Sequence, residues 1–260
     1  MLGPGYAAAM PPTIERSLHP DFLSNGYLVY DQPGGTAVFV DSGAPLEPLL
    51  ESVAEHDLTP THLLLTHHHF DHVEHTAELV ERFGVEVLAH PLEAERLEGE
   101  VRGIEPGEAV LETGGLRFGA LHTPGHTAGM LAFTVDGDVF TGDTLFRGSV
   151  GGVKAPGATG FSDLRASVMD VLMSLPPETR LHPGHTDATT VAAEWDENPF
   201  VRLWRGLDPE GEGACTVWER SATLVLWAPD YDGGHKAWIR WNDTGDDDIV
   251  PGSQVERPGD

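Results

Sequence analysis

Cysteine and lysine are almost missing from this chain. Cys215 is the only cysteine in 260 residues, so no internal disulfide can form and an oxidising export route is not implied. Lys154 and Lys236 are the only lysines, and the formal charge is −27. Nucleic acid and anionic membrane surfaces both demand a basic footprint, and this balance argues against each. The acidic excess reads as the solvated surface of a highly soluble or salt-adapted protein. Met1 to Pro12 carries no basic stretch and only a short apolar patch, Tyr6 to Met10, which does not read as a signal peptide. No apolar run has the length needed to span a bilayer. A soluble cytoplasmic protein acting on a small molecule is expected.

What the chain has in abundance is strand and turn punctuation. Residues 26–31 and 36–41 are β-rich runs around Gln32-Pro33-Gly34-Gly35 and read as a hairpin. Pro45 to Asp57 places Leu46, Leu49, Leu50 and Val53 at helical spacing. A strand is expected over 61–65, a helix over Val73 to Phe83 closed by Gly84, and a strand over Val85 to Ala89. Pro91 to Leu97 reads as a helical turn. Strands follow over 109–112, 116–122, 130–135 and 138–141, with turns at Gly114-Gly115 and Asp136-Gly137. Ser162 to Leu175 reads as a helix with Ser162 as its N-cap, Arg180 to His182 as a strand, and Asp187 to Glu197 and Pro199 to Trp204 as helices. This order implies an α/β fold, a two-layered sheet assembly with helices outside.

The chemistry is concentrated in residues 66–72, Thr-His-His-His-Phe-Asp-His, directly after the apolar Leu63-Leu64-Leu65. Within it lies His67-x-His69-x-Asp71-His72. A buried strand ending in such a cluster sets ligands at a sheet edge, and imidazole with carboxylate suits zinc, iron or manganese. A terminal tag would lack the fixed acid. Three more strand ends carry a glycine and one ligand-type side chain: Pro124-Gly125-His126, Thr141-Gly142-Asp143 and Pro183-Gly184-His185. Glycine allows a sharp turn beside an ion. In an extended segment His67 and His69 face one side, while Asp71-His72 opens a helix turned away from them. Such a division suits two metals about 3.5–4 Å apart, with a bound water acidified to near neutral pH as the nucleophile.

The set His67-x-His69-x-Asp71-His72, His126, Asp143 and His185 resembles the metallo-β-lactamase-fold superfamily, and within it glyoxalase II (hydroxyacylglutathione hydrolase) and its single-domain relatives. The resemblance covers roughly residues 20–205. It implies a four-layer αβ/βα sandwich with the site at one edge of two sheets. It also implies two divalent metal ions, zinc first, with iron or manganese as alternatives. His67, His69 and His126 would hold one, Asp71, His72 and His185 the other, with Asp143 bridging; Asp71 would also orient the nucleophile. The activity implied is hydrolysis of a thioester, or related ester, of a small thiol by metal-bound hydroxide. His68 should face away from the metals, and His182 is more simply structural. The Thr189-Thr190 and Asn198-Pro199-Phe200 elements match the closing helix of glyoxalase II relatives, in preference to lactonases of the same fold.

Asp143 separates the chain from true β-lactamases, which generally lack this bridging carboxylate. Close relatives often carry a basic residue where Gly152 stands; here Arg147 and Lys154 are the nearby cations and the candidate substrate-binding residues. That weighs against glutathione as the thiol. Two alternatives stay open. One is a persulfide dioxygenase-like enzyme with a single iron on His67, His126 and Asp143; the other is a lactonase-type hydrolase. The expected organisation is an N-terminal extension over 1–19, a catalytic domain over 20–206, and a small β-rich C-terminal appendage over 207–260. In that appendage Ala222 to Ala228 and Lys236 to Trp241 are strands, Trp218, Trp227, Trp238 and Trp241 read as core, and Asp243 to Asp260 as a loose acidic tail. A homodimer is compatible with this reading.

Overall fold

The computed structural model describes residues 11–258; the apolar patch at Tyr6 to Met10 lies outside them. Two six-stranded sheets form the centre. In chain order the first holds β1 (Thr13–Leu18), β2 (Asn25–Tyr30), β3 (Thr36–Val40), β4 (Thr59–Leu64), β5 (Glu86–Ala89) and β6 (Val101–Gly103), adjacent in that sequence. The β1–β2 and β2–β3 pairs are antiparallel, whereas β3 to β6 run parallel. The second sheet contains β7 (Gly107–Thr113), β8 (Leu116–His122), β9 (Leu131–Val135) and β10 (Asp138–Gly142). A small hairpin, β11 (Leu145–Phe146) and β12 (Ser149–Val150), leaves its end, and β13 (Arg180–Pro183) and β14 (Thr189–Thr190) complete it in the order β14-β13-β10-β9-β8-β7.

Alternation along the strands produces the layers. In β2 and β3, Tyr27, Val29, Val38 and Val40 face the second sheet, where Phe118, Leu131, Phe133 and Phe140 meet them. Their neighbours Leu28, Phe39 and Leu63 point outward onto helices α1 (Glu47–Glu55) and α3 (Thr76–Phe83), through Leu49, Val53 and Leu79. On the outer side of the second sheet, Ala132, Val139 and Leu181 pack on the helix beginning at Phe161 and on the pair α6 (Val191–Glu197) and α7 (Pro199–Trp204). Helix, sheet, sheet, helix is the four-layer sandwich that the sequence resemblance implies. Among the described residues no helix is long and apolar enough to cross a membrane.

Several elements differ from the sequence reading, each for a visible reason. The helix expected over Val73 to Phe83 is two: α2 (Phe70–Val73) and α3, the latter closed by Gly84 in the left-handed conformation (φ 66°). Between them the Ser42 amide donates to His72 O at 2.8 Å and the His75 amide donates to Ser42 O at 2.9 Å, so the loop after β3 replaces part of the helical ladder. Gly43 permits that approach, since a Cβ there would lie 1.6 Å from Asp71 O. Ser162 is not the N-cap of its helix. Gly160 holds that position, α5 runs from Phe161 to Ala166, and a wider and then a tighter turn carry it to Ser174. At that widening the Ser167 hydroxyl donates to Pro124 O at 2.6 Å. The helix expected from Asp187 starts only at Val191, capped by the Thr190 side chain, because Thr189-Thr190 pair with β13. β1, expected within an extension, is an edge strand of the first sheet.

The largest correction concerns the C-terminus. β15 (Gly213–Val217), β16 (Arg220–Pro229), β17 (His235–Trp241), β18 (Asp247–Pro251) and β19 (Val255–Glu256) form one antiparallel sheet in the order β18-β17-β16-β15-β19. The supposed loose tail supplies two of its strands. The acidic run that reads as solvated is paired inward: Asp247 accepts from Trp238 Nε1 at 2.9 Å and Arg240 Nε at 2.8 Å, and Asp248 from Trp241 Nε1 at 3.1 Å. One face of the sheet carries Cys215, Val217, Ile239 and Val250. The other sends Val225, Ala228, Trp238 and Ile249 into the same core as Leu164, Val168, Leu203 and Trp204 of the sandwich.

Candidate metal centre

The ends of β4, β8, β10 and β13 fall at one edge of the two sheets, and each end carries part of a single cluster. β4 delivers His67, His69, Asp71 and His72, the β8 end His126, β10 Asp143 and β13 His185. Three overlapping groups bring donor atoms within 4.8 Å of one another: His67, His69 and His126; His67, His72 and Asp143; Asp71, His72 and His185. All seven sequence-predicted ligands therefore converge. Asp143 is central. One carboxylate oxygen is 3.3 Å from His72 Nε2, and the other is 3.3 Å from His185 Nε2 and 3.5 Å from His126 Nε2. Asp71 faces the same space, 3.6 Å from His72 Nε2 and 3.5 Å from His185 Nε2.

Hydrogen bonds determine which nitrogen His67, His69, His72 and His126 turn inward. His126 Nδ1–H donates to Gly152 O at 2.7 Å, and His72 Nδ1–H to Asp41 Oδ2 at 2.9 Å. Thr66 donates its hydroxyl to Asp41 Oδ2 at 2.8 Å, which leaves its oxygen to accept from His67 Nδ1–H at 3.0 Å. His69 Nε2–H donates to Pro156 O at 3.0 Å, which turns its Nδ1 toward His126 Nε2, 2.9 Å away. The inward atoms are then lone pairs. His67 Nε2, His72 Nε2 and Asp143 Oδ1 are buried without any hydrogen-bond partner. Lone pairs gathered and unpaired in this way are costly in a protein interior unless a cation satisfies them, so the residues fit a divalent metal centre.

Protonation agrees with that fit. Burial lowers the pKa of His67 well below the usual range and pushes that of His126 down to about 4, so both imidazoles are neutral at neutral pH. Burial alone would raise Asp143, but His185 and His72 outweigh it and hold the carboxyl well below its usual value. Burial would lower His72 as well; Asp143 and Asp41 reverse this and raise it. A cation in the cluster would compete with protons for these same nitrogens.

Asp41 was missed in the sequence, although Phe39-Val40-Asp41, like the stretch before Asp143, sets an acid at the end of an apolar strand. It is 2 % exposed, has φ 55°, and orients both His72 and the Thr66–His67 pair. Metal-binding histidines depend on such partners. Asn25 was missed too. Its Nδ2 donates to Pro183 O and Thr186 O, both at 2.8 Å, and Tyr27 Oη donates to Pro183 O at 2.6 Å, which braces the His185 loop. That brace holds Thr186 at φ 72°, an uncommon conformation for a β-branched residue. Gly184 must lack a side chain, because a Cβ would stand 2.2 Å from Asp143 Oδ1.

The remaining candidates lie outside the cluster. His68 faces away and pairs with Glu93; His182 Nε2 donates to Asp138 at 2.7 Å. Arg147 is on the surface, 3.8 Å from Asp187, and Lys154 pairs with Asp248 of the C-terminal sheet. A Cβ on Gly152 would meet open space. Cys215 is buried in the C-terminal sheet.

A fold of two sheets between helix layers, with a His/Asp cluster on the strand ends of one edge, defines a metallo-hydrolase scaffold. The family model for the metallo-beta-lactamase superfamily matches residues 19–185, and the chain belongs to that superfamily. It is 34% identical over 207 residues to an uncharacterized protein of Mycobacterium tuberculosis, covering 68% of this chain and 92% of the relative. It is 32% identical over 201 residues to hydroxyacylglutathione hydrolase GloC of Haemophilus influenzae, covering 69% and 93%. Among solved structures, TTHA1623 in a di-iron-bound form is similar at a TM-score of 0.61 and 39% identity, over 73% of this chain and 98% of that one.

Proposed function

We propose that the protein is a dinuclear metal-dependent hydrolase that cleaves the thioester, or a related ester, of a small thiol. The observation that carries this reading is the position of Asp143. It touches both halves of the ligand set, His126 of the first group and His72 and His185 of the second, the position that a carboxylate shared between two cations would take. Divalent ions held there would supply an acidified water near neutral pH and a Lewis acid for an acyl carbonyl. His67, His69 and His126 would hold one ion, and Asp71, His72 and His185 the other. Asp71, the more exposed carboxylate, orients the attacking water. Zinc is the first candidate; similarity to a protein crystallised with two irons supports iron as an alternative.

The thiol is proposed from what flanks the site. No side chain projects from Gly152, Lys154 is engaged by Asp248, and Arg147 shares Asp187 with Arg16. Cations for a thiol's carboxylates are therefore sparse, which favours a small thiol with little negative charge over glutathione. The similarity to GloC supports the thioesterase class. A panel of acyl thioesters of glutathione and of smaller, neutral thiols tests the reading through release of free thiol. Hydrolysis that chelation abolishes and zinc, iron or manganese restores is the expected result, fastest on the less charged thiols. Oxygen uptake on a thiol persulfide, with no thioester cleaved, would replace this reading by the mononuclear dioxygenase.

A further inference from the structure

The turn between β16 and β17, residues 230–234, reaches out of the C-terminal sheet to the metal cluster. Tyr231 lies flat on His185, ring centroids 4.1 Å apart and planes at 18°. Phe146, at the end of β11, meets both rings edge-on, at 5.2 Å from Tyr231 and 5.3 Å from His185. Through that stack on His185 the Tyr231 ring borders the metal cluster directly. Tyr231 is only half-buried, and among the described residues no hydrogen bond from its hydroxyl is formed with the protein.

A staple holds the turn in place. Asp230 accepts from Ser149 Oγ at 2.9 Å and pairs with Lys236 Nζ at 3.1 Å, and Lys236 donates to Val150 O at 2.6 Å. Lys236 is 5 % exposed. A buried ion pair of this kind contributes little net stability, because desolvation offsets the attraction. Its structural consequence is placement: it pins the turn to the β11–β12 hairpin and Tyr231 to His185.

We infer that Tyr231 is a substrate-contacting residue, whose phenol hydroxyl donates a hydrogen bond to the oxygen of the substrate's acyl group. The inference rests on the hydrolase reading for the identity of that group. The chemistry is one of complementarity. The side chains of the cluster offer lone pairs, which suit cations, whereas an acyl oxygen is itself an acceptor and needs a donor. Tyrosine is a donor at neutral pH, and this one is held rigidly against a ligand with its hydroxyl unspent. Asp230 and Lys236 are positioning residues that act through it. The C-terminal sheet is thereby part of the active site.

The test uses the full chain loaded with cobalt(II), in wild type, Tyr231→Phe and Tyr231→Leu. Acetohydroxamate, a small acyl compound that binds metals through oxygen, is titrated against the visible cobalt bands. Tyr231→Phe removes only the hydroxyl. It is expected to keep the metal content and the unliganded cobalt spectrum, and to bind acetohydroxamate about tenfold more weakly, the worth of one hydrogen bond. kcat/KM on any thioester that the wild type cleaves falls by a similar factor. Tyr231→Leu, which also removes the ring from His185, changes the unliganded spectrum as well. Combining Lys236→Met with Tyr231→Phe adds no further loss of acetohydroxamate affinity if Lys236 acts through the phenol. Unchanged affinity in Tyr231→Phe overturns the inference, as does a changed unliganded spectrum in that variant, which would make the hydroxyl a support for the ligands. A wild type that cleaves no thioester defeats the hydrolase reading alone, because the titration still decides the role of Tyr231.

Discussion

His185 is held from two directions, and the two regions that hold it are built differently. From the sandwich come Asn25 and Tyr27 on β2, which clamp the backbone of its loop, and Asp143, 3.3 Å from its Nε2. From the C-terminal sheet comes only a flat ring, Tyr231, with the Ser149–Asp230–Lys236 staple behind it. The sandwich supplies donors from strand ends whose direction follows from sheet geometry. The C-terminal sheet supplies no ligand, only a wall and a hydroxyl, and its contribution depends on how one core continues across Trp204 and Trp238. The candidate ligands thus come from the edge geometry of two sheets, and the ring that covers His185 from an addition docked onto it.

The strongest way to break this comparison is at its shared point. Asp143→Asn is expected to lose at least one metal equivalent, and to lose more activity than the roughly 100-fold that removal of an outer partner can cost. Elemental analysis with thioester turnover reads both. If the Asp143→Asn variant retained two ions and full turnover, the bridging role would be gone. Next comes the joint between the regions. Trp238 is 5 % exposed and lies 5.1 Å from the Phe161 ring. Trp238→Ala should destabilise the whole chain by about 3–5 kcal/mol, seen as one urea transition moving to lower concentration. A sandwich transition that stays in place while the C-terminal sheet melts separately would show that the two regions are independent.

Smaller effects sharpen the contrast. Asp41→Asn keeps the shape but weakens the acceptor for His72 and Thr66. Metal affinity should fall about 10–100-fold, measured by chelator competition, with little change in thermal midpoint once metal is saturating. Smallest is Glu219→Gly. Trp218 and Glu219 connect β15 to β16 with φ of 48° and 63°, a turn that glycine tolerates better. The substitution should stabilise the C-terminal sheet by up to about 1 kcal/mol and leave metal content and turnover unchanged. A change in turnover would tie this distant hairpin to the site.

The sequence revealed these regions unequally, for physical reasons. Ligands announce themselves by type: few residues besides His and Asp bind zinc or iron, and His67, His126, Asp143 and His185 each follow an apolar run and, in three cases, a glycine. Asp41 shares that pattern but stands alone in its loop, so nothing in the chain order connects it to His72. Tyr231 carries no local signal at all. Its importance arises from the docking of a sheet whose last strands look like a charged tail. Asp247 and Asp248 read as solvent-facing because their partners, Trp238, Arg240, Trp241 and Lys154, are identified only once the strands pair. The break between α2 and α3 was equally hidden, since Ser42 and Gly43 reach it from another strand.

The most direct test is the number and kind of metal ions in the protein purified without added metal, by elemental analysis per chain. Close to two equivalents of zinc, iron or manganese is the predicted result. One equivalent of iron alone, or no metal even after reconstitution, would contradict a centre shared across Asp143.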